Sequence, residues 1–352
     1  MANQELNFSA RSVVLIRRTL QITFTSRIIM KRVALLTTGG DCPGLNAAIR
    51  AVVRTAIYHQ LEVVGVVRGY EGLIENSFLP LQSHSVSNIL QRGGTILKTA
   101  RSERFKTAEG RKRAAENLRA QQVDGIIVIG GDGSFRGMNL FLQEHHFPVI
   151  GIPKTIDNDI YGTDYAIGYD TALNTVVQAV DKIRDTADSH DRLFFVEVMG
   201  RDAGMIAILS GIGSGAEAIL IPETKTRVDQ IVDILSRGWE RKKTSMIVMV
   251  AEGDDSGGAY KIADEVKSRF SQYDTRVSVL GHMQRGGSPT CFDRVLASRL
   301  GVAAVEYLKE GVSGKMVGII NNQVALTPFE TVVSSKKEFP MDLMRVAEVL
   351  SL

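Results

Sequence analysis

The sequence predicts an α/β protein of two three-layer domains with mainly parallel sheets. Continuous Val/Ile/Leu runs of strand length recur along the chain, glycine-rich loops follow several of them, and stretches of helical period separate them. Runs that are apolar throughout, not alternating, belong to strands buried on both faces, and helices between them supply the crossovers of a parallel sheet.

Taken in order, RVALLT (32–37) is a first strand, the loop Gly39-Gly40-Asp41-Cys42-Pro43-Gly44 follows, and NAAIRAVVRTAIYH (46–59) is an amphipathic helix. LEVVGVV (61–67) and DGIIVIG (124–130) are strands, the latter running into GDGSFRG and a helical MNLFLQEH. FPVIGIP (147–153) leads into KTIDND, and TALNTVVQAVDKIRDTADS (171–189) has the 3.6-residue period of a long helix. LFFVEVMG, AEAILIP, SMIVMVAEG and RVSVLGH are further strands separated by segments of helix length. Ligand-binding groups are expected at the carboxyl ends of such strands.

Composition narrows the function. The 352 residues suffice for two domains or one large unit, and a net charge of +3 with 23% charged residues guarantees no strongly basic face, so nucleic acid is not the expected partner. Two cysteines, Cys42 and Cys291, lie far apart in no metal-ligand spacing, which fits a reducing cytoplasmic setting and no disulfide framework. No apolar run approaches the roughly 20 residues that span a bilayer, so no membrane is expected. Residues 1–29 carry four arginines against one glutamate and no stripe in register. They read as a disordered extension or a start-site artefact ahead of MKRVALL at Met30, with a targeting presequence as the alternative.

The polar strand ends carry the chemistry. Gly39 to Gly44 could be a plain tight turn or a backbone cradle for an anion at a helix N-terminus; no Gly-Lys-Ser/Thr closes it as a Walker loop. Gly131-Asp132-Gly133-Ser134 is sharper: its glycines admit a phosphate chain, and Asp132 is a natural magnesium partner. The spacing Gly131, Gly133, Gly137 misses the dinucleotide fingerprint by one residue. Arg101, Arg192, Arg201, Arg276, Arg285 and His282 fall near predicted strand ends or loops. Singly these are solvated charges; together they suit a phosphate-bearing substrate. Asp157 and Asp159 in PKTIDND add a carboxylate pair.

Glycine loops, a magnesium-suited aspartate, arginines and paired carboxylates describe phosphoryl transfer to a phosphorylated acceptor. TGGDCPGLNAAIR, RGGTILKTAR, IGGDGS, PKTIDND, VEVMGRDAG and VLGHMQRGGSP occur in an order that closely resembles the bacterial 6-phosphofructokinases from Met30 to near the C-terminus. The resemblance implies the phosphofructokinase fold, with residues 30–168 plus 285–334 binding nucleotide and 169–284 plus 335–352 binding fructose 6-phosphate. It implies that Gly40, Arg101, Ser102 and Gly131 to Ser134, including Gly133, bind ATP, and that Asp132 holds Mg2+. Asp157 would be the general base, Thr155 and Asp159 would orient the hydroxyl and the metal's water shell, and Arg201 would steady the transferring group. Ile156, Met199, Gly200, Glu252, His282, Met283, Gln284 and Arg285 would hold the sugar phosphate. Arg192 and Arg276 would reach in from a neighbouring subunit of a homotetramer. Arg50, Arg54, Arg184, Glu217, Arg241 and Lys243 match the family's effector site.

Three departures from the family pattern stand out. Lys154 is characteristic of pyrophosphate-using members, which carry an aspartate in place of Gly133 that crowds the α-phosphate; the absence of that block, with a flexible lysine able to swing aside, favours ATP. Ser102 replaces an aromatic residue near adenine. Ser83 and His84 stand where the effector site has an arginine and a tyrosine. The rival readings are a pyrophosphate-dependent enzyme and a non-catalytic sugar-phosphate sensor; Asp157 and Asp132 argue against the sensor.

Overall fold

The structure is a computed structural model that describes residues 30–351; the expectation for residues 1–29 falls outside the described residues. Two sheets organise it. The first half of the chain supplies β1 (Arg32–Thr37), α1 (Leu45–Tyr58), β2 (Glu62–Val66), α2 (Gly69–Ile74), β3 (Phe78–Leu81), α3 (Ala108–Ala120), β4 (Gly125–Gly130), α4 (Asp132–His145) and β5 (Val149–Pro153). The second supplies α5 (Tyr169–Asp188), β6 (Arg192–Val198), α6 (Met205–Gly213), β7 (Ala218–Leu220), α7 (Val228–Glu240), β8 (Ser245–Ala251), α8 (Ala259–Arg269) and β9 (Asp274–Val279). The chain then returns to the first sheet through α9 (Cys291–Lys309), β10 (Lys315–Ile320), β11 (Gln323–Pro328) and α10 (Phe329–Ser334), and ends on α11 (Asp342–Leu350).

The large sheet runs β11-β10-β5-β4-β1-β2-β3 and the small one β7-β8-β6-β9. Strand pairs are parallel except at the margins of the large sheet, where β3 and β11 run antiparallel to β2 and β10. β3, β10 and β11 are additions to the strands read from sequence. β3 is only four residues long and β11 is half-exposed, so neither shows the continuous buried run that marks a parallel strand, whereas β10, KMVGII, carries such a run and is open to the same reading.

Alternation along the strands explains the layers. Val33, Leu35, Ile127 and Ile129 face one side of the large sheet, while Ala34, Leu36, Ile126 and Val128 face the other, and all are buried. In β6, Phe194, Val196 and Val198 join the first of these clusters, whereas Leu193 and Phe195 pack into a third beneath the small sheet. One apolar layer, containing α1, α5 and α9, therefore runs continuously between the two sheets. Each fully buried branched side chain contributes about 1.5–3 kcal/mol, so this shared layer fixes how the strand ends of the two sheets face each other.

Candidate active site

β5, β4 and β1 lie side by side, so the loops leaving their carboxyl ends converge. These loops, joined by segments around Arg101, Arg201 and Arg285, enclose a cleft of about 880 Å³. Gly40, Arg101, Ser102, Gly131, Asp132, Gly133, Ser134, Thr155, Ile156, Asp157, Asp159, Arg201 and Arg285 all line it. The sequence scatters them over almost 250 positions; the parallel sheet gathers them.

Local geometry explains how each wall forms. β4 passes directly into α4, and a Cβ at Gly130 would stand 2.4 Å from the Ser134 side chain, so only glycine permits the close turn. Gly131 then precedes α4 without a side-chain cap, leaving the helix N-terminus open to an anion. Gly133 has open space where a Cβ would be. On the facing wall the Arg285 guanidinium presses against Gly40, its Nη1 3.9 Å from the Asp41 carboxylate, while its buried Nε has no partner among the described residues.

Asp157 is nearly buried at the base of the cleft. Its amide donates to Thr155 Oγ1 (3.1 Å), and Arg201 Nε stands 3.7 Å from its carboxylate. Burial first, then the like charge of Asp159, pushes the Asp157 carboxyl above its ordinary value, while Arg201, the Thr155 hydroxyl and Arg285 pull it back. Asn158 between the two aspartates adopts a left-handed backbone, φ 52°, and its side chain bonds Asp164 O and Ala166 N across the loop. That closure fixes where Asp157 and Asp159 stand.

Asp132 opens α4, 3.1 Å from Arg136, and burial raises its carboxyl, with Arg136 opposing and Asp159 reinforcing the shift. No group of three or more His, Cys, Asp or Glu among the described residues could hold a metal ion on its own. Carboxylates at Asp132 and Asp159 beside an open helix N-terminus suit a hydrated magnesium that arrives with a polyphosphate.

Lys154 corrects one expectation. It is only 4% exposed and does not swing free. Its amide bonds Gly130 O, its backbone bridges to Ile167, and its Nζ lies 3.3 Å from where a Cβ on Gly39 would stand. Burial lowers its ammonium below the ordinary lysine value, and Cys42 beside it is pushed up to about 12, also mainly by burial. Ser102 is likewise engaged by the protein: its hydroxyl bonds Glu71, which also holds Arg104, and it accepts from Phe105 N.

Behind Arg201, the ends of β6 and β8 are laced together outside the cleft lining. Glu252 Oε1 accepts from the amides of Gly200 (3.3 Å) and Arg201 (2.8 Å), and buried Gln284 accepts from Met199 N (3.2 Å). Together they set Arg201, at φ 51°, across from Asp157. His282 and Met283 stay exposed beside this lacing and outside the cleft lining. Arg192 and Arg276 do not join the cleft. Arg192 begins β6, about 20 Å along the strand from Met199, and both arginines pair with Asp274, at 3.1 and 2.7 Å.

Residues 32–308 match the family described as Phosphofructokinase. The chain belongs to the phosphofructokinase family. It is 53% identical over 323 residues to ATP-dependent 6-phosphofructokinase 2 of Bacteroides thetaiotaomicron, covering 92% of this chain and 99% of that one. It is 54% identical to the ATP-dependent 6-phosphofructokinase of Halalkalibacterium halodurans, covering 92% and 100%. The Saccharomyces cerevisiae phosphofructokinase structure superposes with a TM-score of 0.83 at 35% identity; the match covers 91% of this chain but 46% of the yeast chain. A pyrophosphate-dependent phosphofructokinase from Nitrosospira multiformis shares the fold, TM-score 0.81, at 20% identity, over 91% of each chain.

Some phosphofructokinase cleft residues escape a reading of motifs. Tyr70 and Phe105 stack at 4.0 Å below the cleft, and Tyr70 OH donates to Ser134 O at 2.5 Å. Arg111 is buried in a bidentate pair with Glu144 and lines the same wall. Each comes from a helix or turn with no motif of its own; only the Tyr70-Glu71 and Phe105-Lys106 aromatic–charged pairs hint at a role. The residues expected at an effector site divide into two groups. Arg184 and Lys243 flank Glu217 at 3.8 and 3.6 Å, with Arg241 beside them. Arg50 and Arg54 lie on α1, against which the short helix carrying Ser83 and His84 packs, away from that cluster.

Proposed function

We propose that this chain transfers the terminal phosphoryl group of MgATP to the 1-hydroxyl of fructose 6-phosphate, giving fructose 1,6-bisphosphate and ADP. The observation that carries the reading is Asp157: a buried carboxylate at the foot of an anion-binding cleft, with a guanidinium 3.7 Å away. As the hydroxyl oxygen bonds to the γ-phosphorus, its proton passes to Asp157 and the bond to the bridging oxygen breaks, leaving ADP. A positioned base of this kind contributes about 10²- to 10⁴-fold, and charge neutralisation by Arg201 and the open α4 N-terminus supplies more. Thr155 orients the hydroxyl. Asp132 holds the magnesium, with Asp159 ordering its water; when bound, the ion neutralises charge on the phosphates.

Gly40, Arg101, Ser102 and Gly131 to Ser134 take the nucleotide, the aromatic floor of Tyr70 and Phe105 lying beneath. Met199, Gly200, Glu252, His282, Met283, Gln284 and Arg285 take the sugar phosphate. Arg192 and Arg276 serve the site of a neighbouring subunit in a homotetramer, a reading supported by their distance from their own chain's cleft. The sheet of β1–β5, β10 and β11 is the nucleotide domain and that of β6–β9 the sugar-phosphate domain. Arg184, Glu217, Arg241 and Lys243 form one half of an effector site, Arg50 and Arg54 of an adjacent subunit the other. The enzyme acts in the cytoplasm.

One observation favours a second donor. Lys154 is built into the cleft wall, so its cation is a fixed feature near the phosphates. Open space at Gly133 leaves a path for the rest of a nucleotide and supports ATP. A coupled assay with ATP and with pyrophosphate decides between them: higher catalytic efficiency with pyrophosphate would overturn the ATP reading.

A further inference from the structure

Lys337 sits between α10 and α11, where the chain passes from one sheet's layer to the other, and it is half-buried. Its Nζ donates to Asp164 O at 2.7 Å. The same carbonyl accepts Asn158 Nδ2 at 3.1 Å. Asp164 is also tied to the end of β10: its amide donates to Ile319 O (2.7 Å), and its carboxylate accepts Asn321 N (2.8 Å). The loop from Asp157 to Ala166 is therefore closed internally by Asn158 and anchored externally at Asp164, and Lys337 supplies the cation in that anchor.

Burying a lysine costs rotamer entropy and hydration. Burial holds the Lys337 ammonium down to about 8, with Asp164 and then Asp159 pulling it up. A surface linker gains nothing from that cost, but a loop carrying the base does. Asp157 and Asp159 repel each other on this loop, and the Lys337 ammonium attracts Asp159 from the far side of Asp164.

We propose that Lys337 is a positioning residue for phosphoryl transfer, holding the Asp157–Asp164 loop so that Asp157 faces the attacking hydroxyl. This rests on the phosphofructokinase reading above. Lys337 touches neither substrate nor reacting atoms in this arrangement; it acts through Asp164 and Asn158. Loss of the anchor therefore changes turnover more than affinity, because small displacements of a base are costly in rate.

The test uses the full chain with Lys337→Met and Lys337→Arg, each assayed for kcat and for KM toward fructose 6-phosphate and the active donor. Expected is a fall in kcat of at least about 10-fold for the methionine variant, with both KM values within about twofold of wild type and recovery of kcat to within about threefold by arginine. Unchanged kcat in Lys337→Met, or a loss expressed only in KM, overturns the proposal. If the methionine variant gives no cooperative melt, Lys337→Gln, which keeps a donor without charge, is measured against the same limits. A wild-type protein inactive with both ATP and pyrophosphate would instead remove the functional reading on which the proposal stands.

Discussion

Asp157 and Asp159 share one loop, and the proposed reaction gives them different roles that can be measured. Asp157→Asn is expected to cut kcat by at least about 10²-fold while fructose 6-phosphate binding, read by calorimetry, stays nearly unchanged. A variant within tenfold of wild type would take Asp157 out of the chemistry. Asp159 raises the Asp157 carboxyl by like charge, second to burial. A base must be ionised to accept a proton, so kcat/KM falls as pH drops through its pKa. Asp159→Asn removes the repulsion and stabilises the ionised form, so the acid limb of the kcat/KM profile should move to lower pH. A limb that stays put or moves up would show that Asp159 does not raise the Asp157 carboxyl. The residues of this loop are legible in sequence because glycines, carboxylates and arginines at strand ends have few structural uses. Lys154 is legible only as a residue type. Its burial depends on the bridge to Ile167 and on neighbours such as Cys42 and Arg285, which only the folded chain brings near.

Helices and strands show where sequence reading holds and where it stops. Continuous apolar runs identify β1, β4, β5, β6 and β8, since burial on both faces leaves no polar alternation. β10 and β11 form a hairpin whose two turn residues, Asn321 and Asn322, have φ of 49° and 61°. Asparagine pairs tolerate such left-handed turns, so the signal exists at residue level, between an apolar β10 and a half-exposed β11. The start of α5 has no cap of its own: Gly168 precedes it. The cap comes from α9. Fully buried Asp293 accepts from Gly168 N and Thr171 N, both at 2.9 Å, and from the Thr171 hydroxyl at 2.5 Å. A sequence window around α5 cannot contain a residue more than 120 positions away. Asp293→Ala leaves three donors unsatisfied, and urea unfolding should show a loss of about 2–4 kcal/mol. A loss under about 0.5 kcal/mol would mean water replaces the carboxylate without cost.

At the scale of the whole molecule, the site is assembled across two sheets held by one continuous apolar layer. Arg192 and Arg276 lie outside that assembly, paired with Asp274 at the far end of β6. A site completed between subunits predicts complementation: an Asp157→Asn chain mixed with an Arg192→Ala chain should recover activity that neither has alone, because one hybrid interface carries both intact residues. Subunit exchange followed by labelled mass measurement, with no recovery of turnover, would place the two arginines outside any shared site.

The strand order also sets a schedule for biosynthesis. β5 sits in the middle of the finished large sheet, yet its neighbour β10 lies roughly 160 residues further along the chain. At about 5–20 residues per second on the ribosome, that edge of β5 waits some 10–30 s for its partner. Throughout that interval a wholly apolar strand, VIGIP, presents unpaired backbone groups while the second sheet is still being made. A chain released before residue 315 can never close the gap. Nascent fragments ending near residue 310 should therefore aggregate or bind chaperones, while fragments extended past β11, near residue 334, should resist limited proteolysis.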